Sequence, residues 1–114
     1  MCGFAVPIKL LQEKPELVKK LLRARAKGNR YFLENEREAS ELLARLYRVD
    51  VKTALESYRS SKSAFAQTGI PTDEEIKEHL AVDAQVLKLP EAVPPSQIFD
   101  FSLQREVNRD LGIK

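Results

Sequence analysis

The sequence predicts a mainly α-helical fold, a single small domain over residues 1–114 built from four to five short helices. Along four segments, apolar residues recur at intervals of three and four, which is the period of a helix that buries one face. Residues that favour helix starts precede several of these segments. The short apolar run at residues 3–6, which Pro7 ends, is compatible with a short strand or with an extended entry segment.

The longest predicted helix starts near Pro15 and continues to about Leu33. Residues 8–13 form one or two helical turns before it, because proline disfavours helix in the residue that precedes it. One face of the long helix is apolar, and we expect it to pack in the core; it consists of Leu17, Leu21, Ala24 and Gly28, widened by Val18, Leu22 and Phe32. The opposite face is basic and is expected to be solvated; it consists of Lys20, Arg23, Lys27 and Arg30.

Two further helices follow, and each begins at a residue that favours the N-cap position, Asn35 and Asp50. The predicted core face of the first consists of Ala39, Leu42, Leu43, Leu46 and Tyr47. The predicted core face of the second consists of Val51, Ala54, Leu55 and Tyr58. Helical periodicity is lost over residues 60–71, which indicates a loop.

Thr72 and Glu75 have the spacing of a capping box and open the next predicted helix. Its core face consists of Ile76, Leu80, Ala84 and Leu87. Residues 89–95 contain three prolines, which favours an extended connection, and a single helical turn is expected at residues 96–99. Ser102 is expected to cap the last helix and Gly112 to end it, with an apolar side formed by Leu103, Val107 and Leu111.

Composition excludes several classes of protein. Cys2 is the only cysteine, so the chain forms no internal disulfide and no thiol-based metal site. No apolar run approaches the roughly 18 residues that span a bilayer. The first residues do not have the pattern of a signal peptide, so as written the chain is expected to stay in the cytoplasm. The net charge of +2 gives no general argument for nucleic acid.

No catalytic, cofactor or metal site can be assembled from the residues, and we therefore predict a non-catalytic protein. His79 is the only histidine, and it lies beside the apolar stripe of its helix. One histidine and one cysteine do not provide metal-ligand spacing. The acidic clusters, which are Glu34 with Glu38 and Asp73 with Glu74 and Glu75, are interpreted as helix N-terminal residues favoured by the dipole.

The basic segment is the strongest local charge feature. Residues 9–30 contain eight Lys or Arg against two Glu. A row of such side chains on the helix at residues 16–33 could contact phosphates, but no recognition helix follows a tight turn. We interpret the row as the solvated face of an amphipathic helix and keep nucleic-acid binding as a lesser alternative.

Three stretches resemble the C-terminal part of bacterial ABC-transporter substrate-binding proteins of the aliphatic-sulfonate, taurine and nitrate type, which are close kin to the thiamine-pyrimidine precursor binders. The stretches occur in the same order and spacing as in that family. They are residues 3–6 with Leu10-Leu11 and Lys14-Pro15-Glu16-Leu17-Val18, residues 30–35 leading to Glu38-Ala39, and residues 93–103.

The resemblance implies a role in capturing a small organic solute and delivering it to an ABC permease, in the periplasm. Family members hold the solute between two lobes that close by hinge motion. The stretches match only the family's C-terminal part, so no solute-binding residue is assigned to this chain. Helix faces that pack against the rest of such a protein would be uncovered here, and self-association through apolar faces is expected. The alternative is a small helical protein-interaction module.

Overall fold

The computed structural model describes residues 3–114, which contain seven α-helices and no strand. The prediction of a mainly α-helical chain is therefore confirmed. The helices are α1 Ile8–Glu13, α2 Pro15–Glu34, α3 Glu36–Tyr47, α4 Val51–Ser61, α5 Asp73–Val86, α6 Pro95–Ile98 and α7 Ser102–Leu111, with a 3-10 turn at Lys62–Ala64 after α4.

The candidate strand at residues 3–6 is a wrong prediction, since residues 3–7 are irregular. A strand needs a neighbouring strand to accept its backbone hydrogen bonds, and residues 3–114 provide none. The chain instead enters α1 directly after Pro7, which stands at the N-cap position.

Residues close in sequence determine two helix starts and one helix end. The Thr53 backbone N–H donates to Asp50 Oδ1 at 2.8 Å, which caps α4. At the start of α5, the Glu75 N–H donates to Thr72 Oγ1 at 3.2 Å, and the Thr72 N–H donates to Glu75 Oε2 at 2.8 Å. α7 ends at Gly112, whose φ of 66° lies in the left-handed region that glycine adopts without strain. All three predictions are confirmed.

Two further predictions concern helix starts. Asn35 occupies the N-cap position of α3 as predicted, but its side chain makes no capping hydrogen bond there and instead donates to the Tyr31 carbonyl of α2 at 2.9 Å. The prediction that Ser102 caps α7 is wrong, since Ser102 is the first residue of this helix and Phe101 precedes it at the N-cap. The carboxylate of Asp100 accepts from the Ser102 backbone N–H at 2.9 Å.

The capping carboxylates make the stability of the fold depend on pH. Hydrogen bonds from the Thr53 and Thr72 backbones lower the pKa of Asp50 and Glu75, and the Ser102 hydroxyl lowers the pKa of Asp100. A carboxyl with a lowered pKa in the folded state stabilises the fold above its ordinary pKa, near 4, and this contribution is lost as the pH falls further.

We therefore expect the free energy of unfolding, measured by urea titration, to fall progressively from pH 5 towards pH 2. The double variant Asp50→Asn/Glu75→Gln retains capping side chains but removes two of the titrating groups. Its stability should depend less steeply on pH in this range. An equally steep dependence in the variant would show that the caps are not responsible.

The core is small and is formed largely by small side chains. Within residues 3–114, ten hydrophobic residues are buried, and five of them are alanines, whereas sixteen large hydrophobic side chains are exposed. α3 and α4 pack closely through Ala39, Ser40, Ala44 and Ala54, all of them buried. The predicted core faces are wrong at seven large residues, which are exposed: Leu17, Leu21, Leu42, Leu46, Tyr47, Val51 and Leu87.

The molecule has far more surface than a closed domain of its mass. Its accessible surface is 8970 Å², compared with about 6,300 Å² for a compact monomer of 13.0 kDa. The radius of gyration is 16.8 Å, compared with about 13 Å for a compact domain of this length. The helices therefore form an open assembly whose apolar faces are only partly covered.

Candidate functional site

The largest continuous apolar feature on α2 faces solvent. Leu17, Leu21, Ala24, Gly28 and Tyr31 recur at intervals of four and three, so they form one stripe along the helix. We call these five residues the α2 ridge. All five are exposed, and the three large side chains expose 44%, 48% and 52% of their surface. The predicted core face is therefore wrong for Leu17, Leu21, Ala24 and Gly28, whereas Val18, at its edge, is buried as expected.

The inner face of α2 buries Val18 and Ala26, and the cations beside them contact α7. Lys19 Nζ lies 3.1 Å from Glu106 Oε2 and 3.4 Å from Asp110 Oδ2 on α7. Arg23 Nη2 also pairs with Asp110, at 3.1 Å, and the hydrogen bond to Glu106 raises the pKa of Lys19. Arg30 Nη1 donates to the Leu111 carbonyl at the end of α7, at 2.9 Å. Ion pairs and a helix C-terminus therefore hold α7 against α2, around the fully buried Val107.

This contact splits the predicted basic row. Arg23 and Arg30 are turned towards α7, while Lys20 and Lys27 are exposed beside the α2 ridge. The prediction of one solvated row of four cations is wrong for this reason. Two lysines provide few phosphate contacts, whereas DNA-binding proteins commonly make six or more.

A signal for this contact was present in the sequence. Glu106 and Asp110 are four residues apart and so share one face of α7, as Lys19 and Arg23 do on α2. The two pairs have opposite charges and the same spacing. Matching them would have predicted the α2–α7 contact and the inward orientation of the basic side chains.

Gly28 is unusual because it lies in the interior of a helix. Glycine there is less favourable than alanine by about 1 kcal/mol. A Cβ added to Gly28 would have no atom within 4 Å, so no contact inside the chain requires the missing side chain. Together with Ala24, Gly28 makes a flat place on the ridge where another backbone can approach closely.

The single histidine pairs with an acidic side chain of its own helix. His79 Nε2 lies 3.4 Å from Asp83 Oδ2, one helical turn away on α5. No group of three potential metal ligands occurs within residues 3–114, and Cys2 lies outside the described residues. Asp73, Glu74 and Glu75 occupy the first turn of α5 as expected. Glu38 likewise starts α3, but Glu34 ends α2, which corrects its predicted position at a helix N-terminus.

A cleft of about 620 Å³ lies between the N-terminal segment, α5 and the start of α7. Its walls carry three phenyl rings: Phe99 and Phe101 stack with centroids 5.7 Å apart, and Phe4 lies under the Arg25 guanidinium at 5.5 Å. Its volume lies in the usual range for ligand pockets. The sequence did not indicate this cleft, because its walls come from distant parts of the chain, among them Phe4, Val6, Leu22, Arg25, His79, Ile98, Phe101 and Gln104.

Comparison with known proteins gave no match: no protein-family model, no curated protein and no solved structure is similar to this chain. Among residues 3–114, no helix is long and apolar enough to cross a membrane.

Proposed function

We propose that this chain is a non-catalytic helical unit of an ABC-transporter solute-binding protein, and that its α2 ridge packs against the remainder of that protein. The resemblance spans three stretches of the sequence. Two of these, residues 3–18 and 93–103, contribute walls of the cleft. Capture of a small organic solute and delivery to a permease belong to the two-lobed assembly, and we do not expect the isolated chain to perform them.

The observation that carries the proposal is the apolar outer face of α2. A helix in a closed domain places its apolar side inward and its polar side in water. α2 instead has apolar residues on two sides, since Val18 and Ala26 are buried while Leu17 and Leu21 on the outer face are exposed. Apolar surface of this extent indicates a protein contact.

A free-standing interaction module is the alternative, and it would use the same ridge. The two descriptions differ in the partner, which is the remainder of a solute-binding protein in one case and a separate protein in the other. Nucleic-acid binding has less support, because Arg23 and Arg30 already contact α7.

The double variant Leu17→Gln/Leu21→Gln tests the role of the ridge. Both residues are outside the core, so we expect its free energy of unfolding, extrapolated to infinite dilution, to stay within about 0.5 kcal/mol of the wild type. Association of the chain, measured by light scattering, should weaken strongly. If the ridge packs inside the chain, unfolding should instead become easier by about 2 kcal/mol or more per residue.

The matched control is Leu46→Gln on α3, which alters another exposed leucine. It should change neither the unfolding free energy nor the association. Equal weakening of association by the control and the ridge variant would show that α2 has no special role.

A further inference from the structure

The α2 ridge has the residue spacing of a surface on which one other helix packs lengthwise. Its five residues are separated by four, three, four and three positions, so they repeat on average every 3.5 residues or so. This is the repeat found where two helices pack side by side at a crossing angle of about 20°. The ridge extends over about 21 Å, at about 1.5 Å per residue. A partner helix of about four turns therefore covers it from end to end.

The middle of the ridge consists of its smallest residues. Ala24 and Gly28 lie between the larger Leu21 and Tyr31, and a Cβ added to Gly28 would have no atom within 4 Å. Where helices pack closely, a large side chain of one helix fills such a gap in the other. The partner helix is therefore expected to carry large apolar residues opposite this part of the ridge.

One side of the ridge carries four exposed charges in a mirrored order. From the N-terminal end of α2 they are Glu16, Lys20, Lys27 and Glu34. The two lysines lie beside the middle of the ridge, whereas the two glutamates lie just beyond its ends. Within residues 3–114, none of these four side chains takes part in an ion pair. All four are therefore available to charges on a partner.

The other side of the ridge lies against the chain itself. Val18 is buried there and Phe32 is half-buried. Arg25 is also half-buried, with its guanidinium carbon 5.5 Å from the centroid of the Phe4 ring. The exposed Lys14 precedes the ridge at the N-cap of α2. The charges on this side are thus positive, and they too favour acidic groups on a partner.

The same charges disfavour a second copy of the ridge as the partner. Two ridges packed antiparallel about their midpoints would place Lys20 of one copy beside Lys27 of the other, and Glu16 beside Glu34. A parallel arrangement would place Lys20 beside Arg25 of the other copy. Like charges meet in both cases, which is unfavourable. Isolated chains are therefore expected to associate through apolar contact alone, and more weakly than with a helix of complementary charge.

We infer that the α2 ridge receives a single helix from the remainder of the solute-binding protein, with acidic side chains beside the middle of its apolar strip and basic side chains beside the ends. This inference rests on the proposed function, since it gives the chemistry of the partner that packs on the same ridge. The acidic groups face Lys20 and Lys27, and the basic groups face Glu16 and Glu34. Because the order of charges is mirrored, both orientations of the partner helix satisfy it.

Two synthetic helical peptides, each of three heptads, test the inference by fluorescence anisotropy with the full chain. Both carry leucine along one apolar strip. The first has glutamate beside the middle of the strip and lysine beside its ends, and the second has these residues exchanged. Residues on the far face bring both peptides to zero net charge. We expect the dissociation constant of the first peptide to be lower on the order of tenfold, because only its charges complement those of the ridge.

Charge reversal on the ridge should exchange this preference. The variant Lys20→Glu/Lys27→Glu should bind the second peptide more tightly than the first, since like charges then meet the first peptide. The matched control is Lys52→Glu/Lys77→Glu, which makes the same change of net charge on exposed residues of α4 and α5. It should keep the wild-type order of the two peptides.

Two results would overturn the inference. The first is equal binding of the two peptides to the wild type; the proposed function then stands if Leu17→Gln/Leu21→Gln abolishes the binding of both, because the ridge would still be an apolar contact surface. The second is that neither peptide binds. The proposed function then stands if the ridge variant weakens self-association of the chain, and it fails as well if that variant instead unfolds more easily than the wild type.

Discussion

Replacement of Tyr58 by alanine is expected to leave the chain largely unfolded at room temperature. Tyr58 is fully buried, its ring centroid lies 4.8 Å from that of Phe32, and its hydroxyl donates to the Phe32 carbonyl at 2.8 Å. It therefore joins α4 to the end of α2. Truncation of a buried aromatic side chain costs about 3–5 kcal/mol. With so few large residues in its core, the chain has little stability in reserve, and circular dichroism with urea titration measures the loss.

Tyr58→Phe separates the ring from the hydroxyl. It retains the aromatic contacts but leaves the Phe32 carbonyl without this donor, so we expect a loss of only about 1 kcal/mol. A Tyr58→Ala variant with nearly wild-type stability would contradict the account, because it would mean that α4 and α2 are held together elsewhere.

Val107→Asp is expected to detach α7 from α2. Val107 is fully buried in the contact between these helices. A carboxylate placed there would lose its hydration without a cation positioned to pair with it. Separating the two helices then costs less free energy than burying the charge, although the ion pairs of Lys19 and Arg23 with α7 oppose the separation. Hydrogen-exchange mass spectrometry should show at least tenfold faster exchange over residues 102–111, with little change in α3 and α4.

Val82→Asp is the matched control, since the same substitution falls on a valine that is 56% exposed. It should leave exchange in α7 unchanged. If the amides of α7 exchange as slowly in the Val107→Asp variant as in the wild type, the polar contacts alone hold this helix in place.

The helices and several of their ends could be predicted from sequence because their causes are local. Pro15 starts α2, the Thr72–Glu75 pair starts α5, and Gly112 ends α7, each through a conformation or hydrogen bond within a few residues. The error at Ser102 arises because Asp100, two residues earlier, offers a second acceptor for the first turn of α7. Local composition does not decide between such neighbours.

The buried faces could be predicted only in part, because burial depends on what each helix meets. Ile76, Leu80 and Ala84 on α5 are buried as expected. Helical periodicity places Leu17 and Leu21 on one side of α2, but the side that meets α7 is the one that holds Val18, Ala26 and the cations paired with Glu106 and Asp110. In α3, the small residues Ala39 and Ala44 permit a closer approach than the leucines do. The cleft escaped prediction for the same reason, since Phe4 and Phe101 are far apart in sequence.

If the α2 ridge is an uncovered surface for protein contact, the absolute mass of the wild-type chain in solution should depend on its concentration. Size-exclusion chromatography with light scattering would be run over a hundredfold range of protein concentration and at two salt concentrations. We expect a mass that rises from 13.0 kDa towards twice this value, with a transition that high salt shifts only modestly, since apolar contacts provide most of the association. A mass of 13.0 kDa at every concentration, together with easier unfolding of Leu17→Gln/Leu21→Gln, would show the opposite, because the ridge would then pack inside the chain.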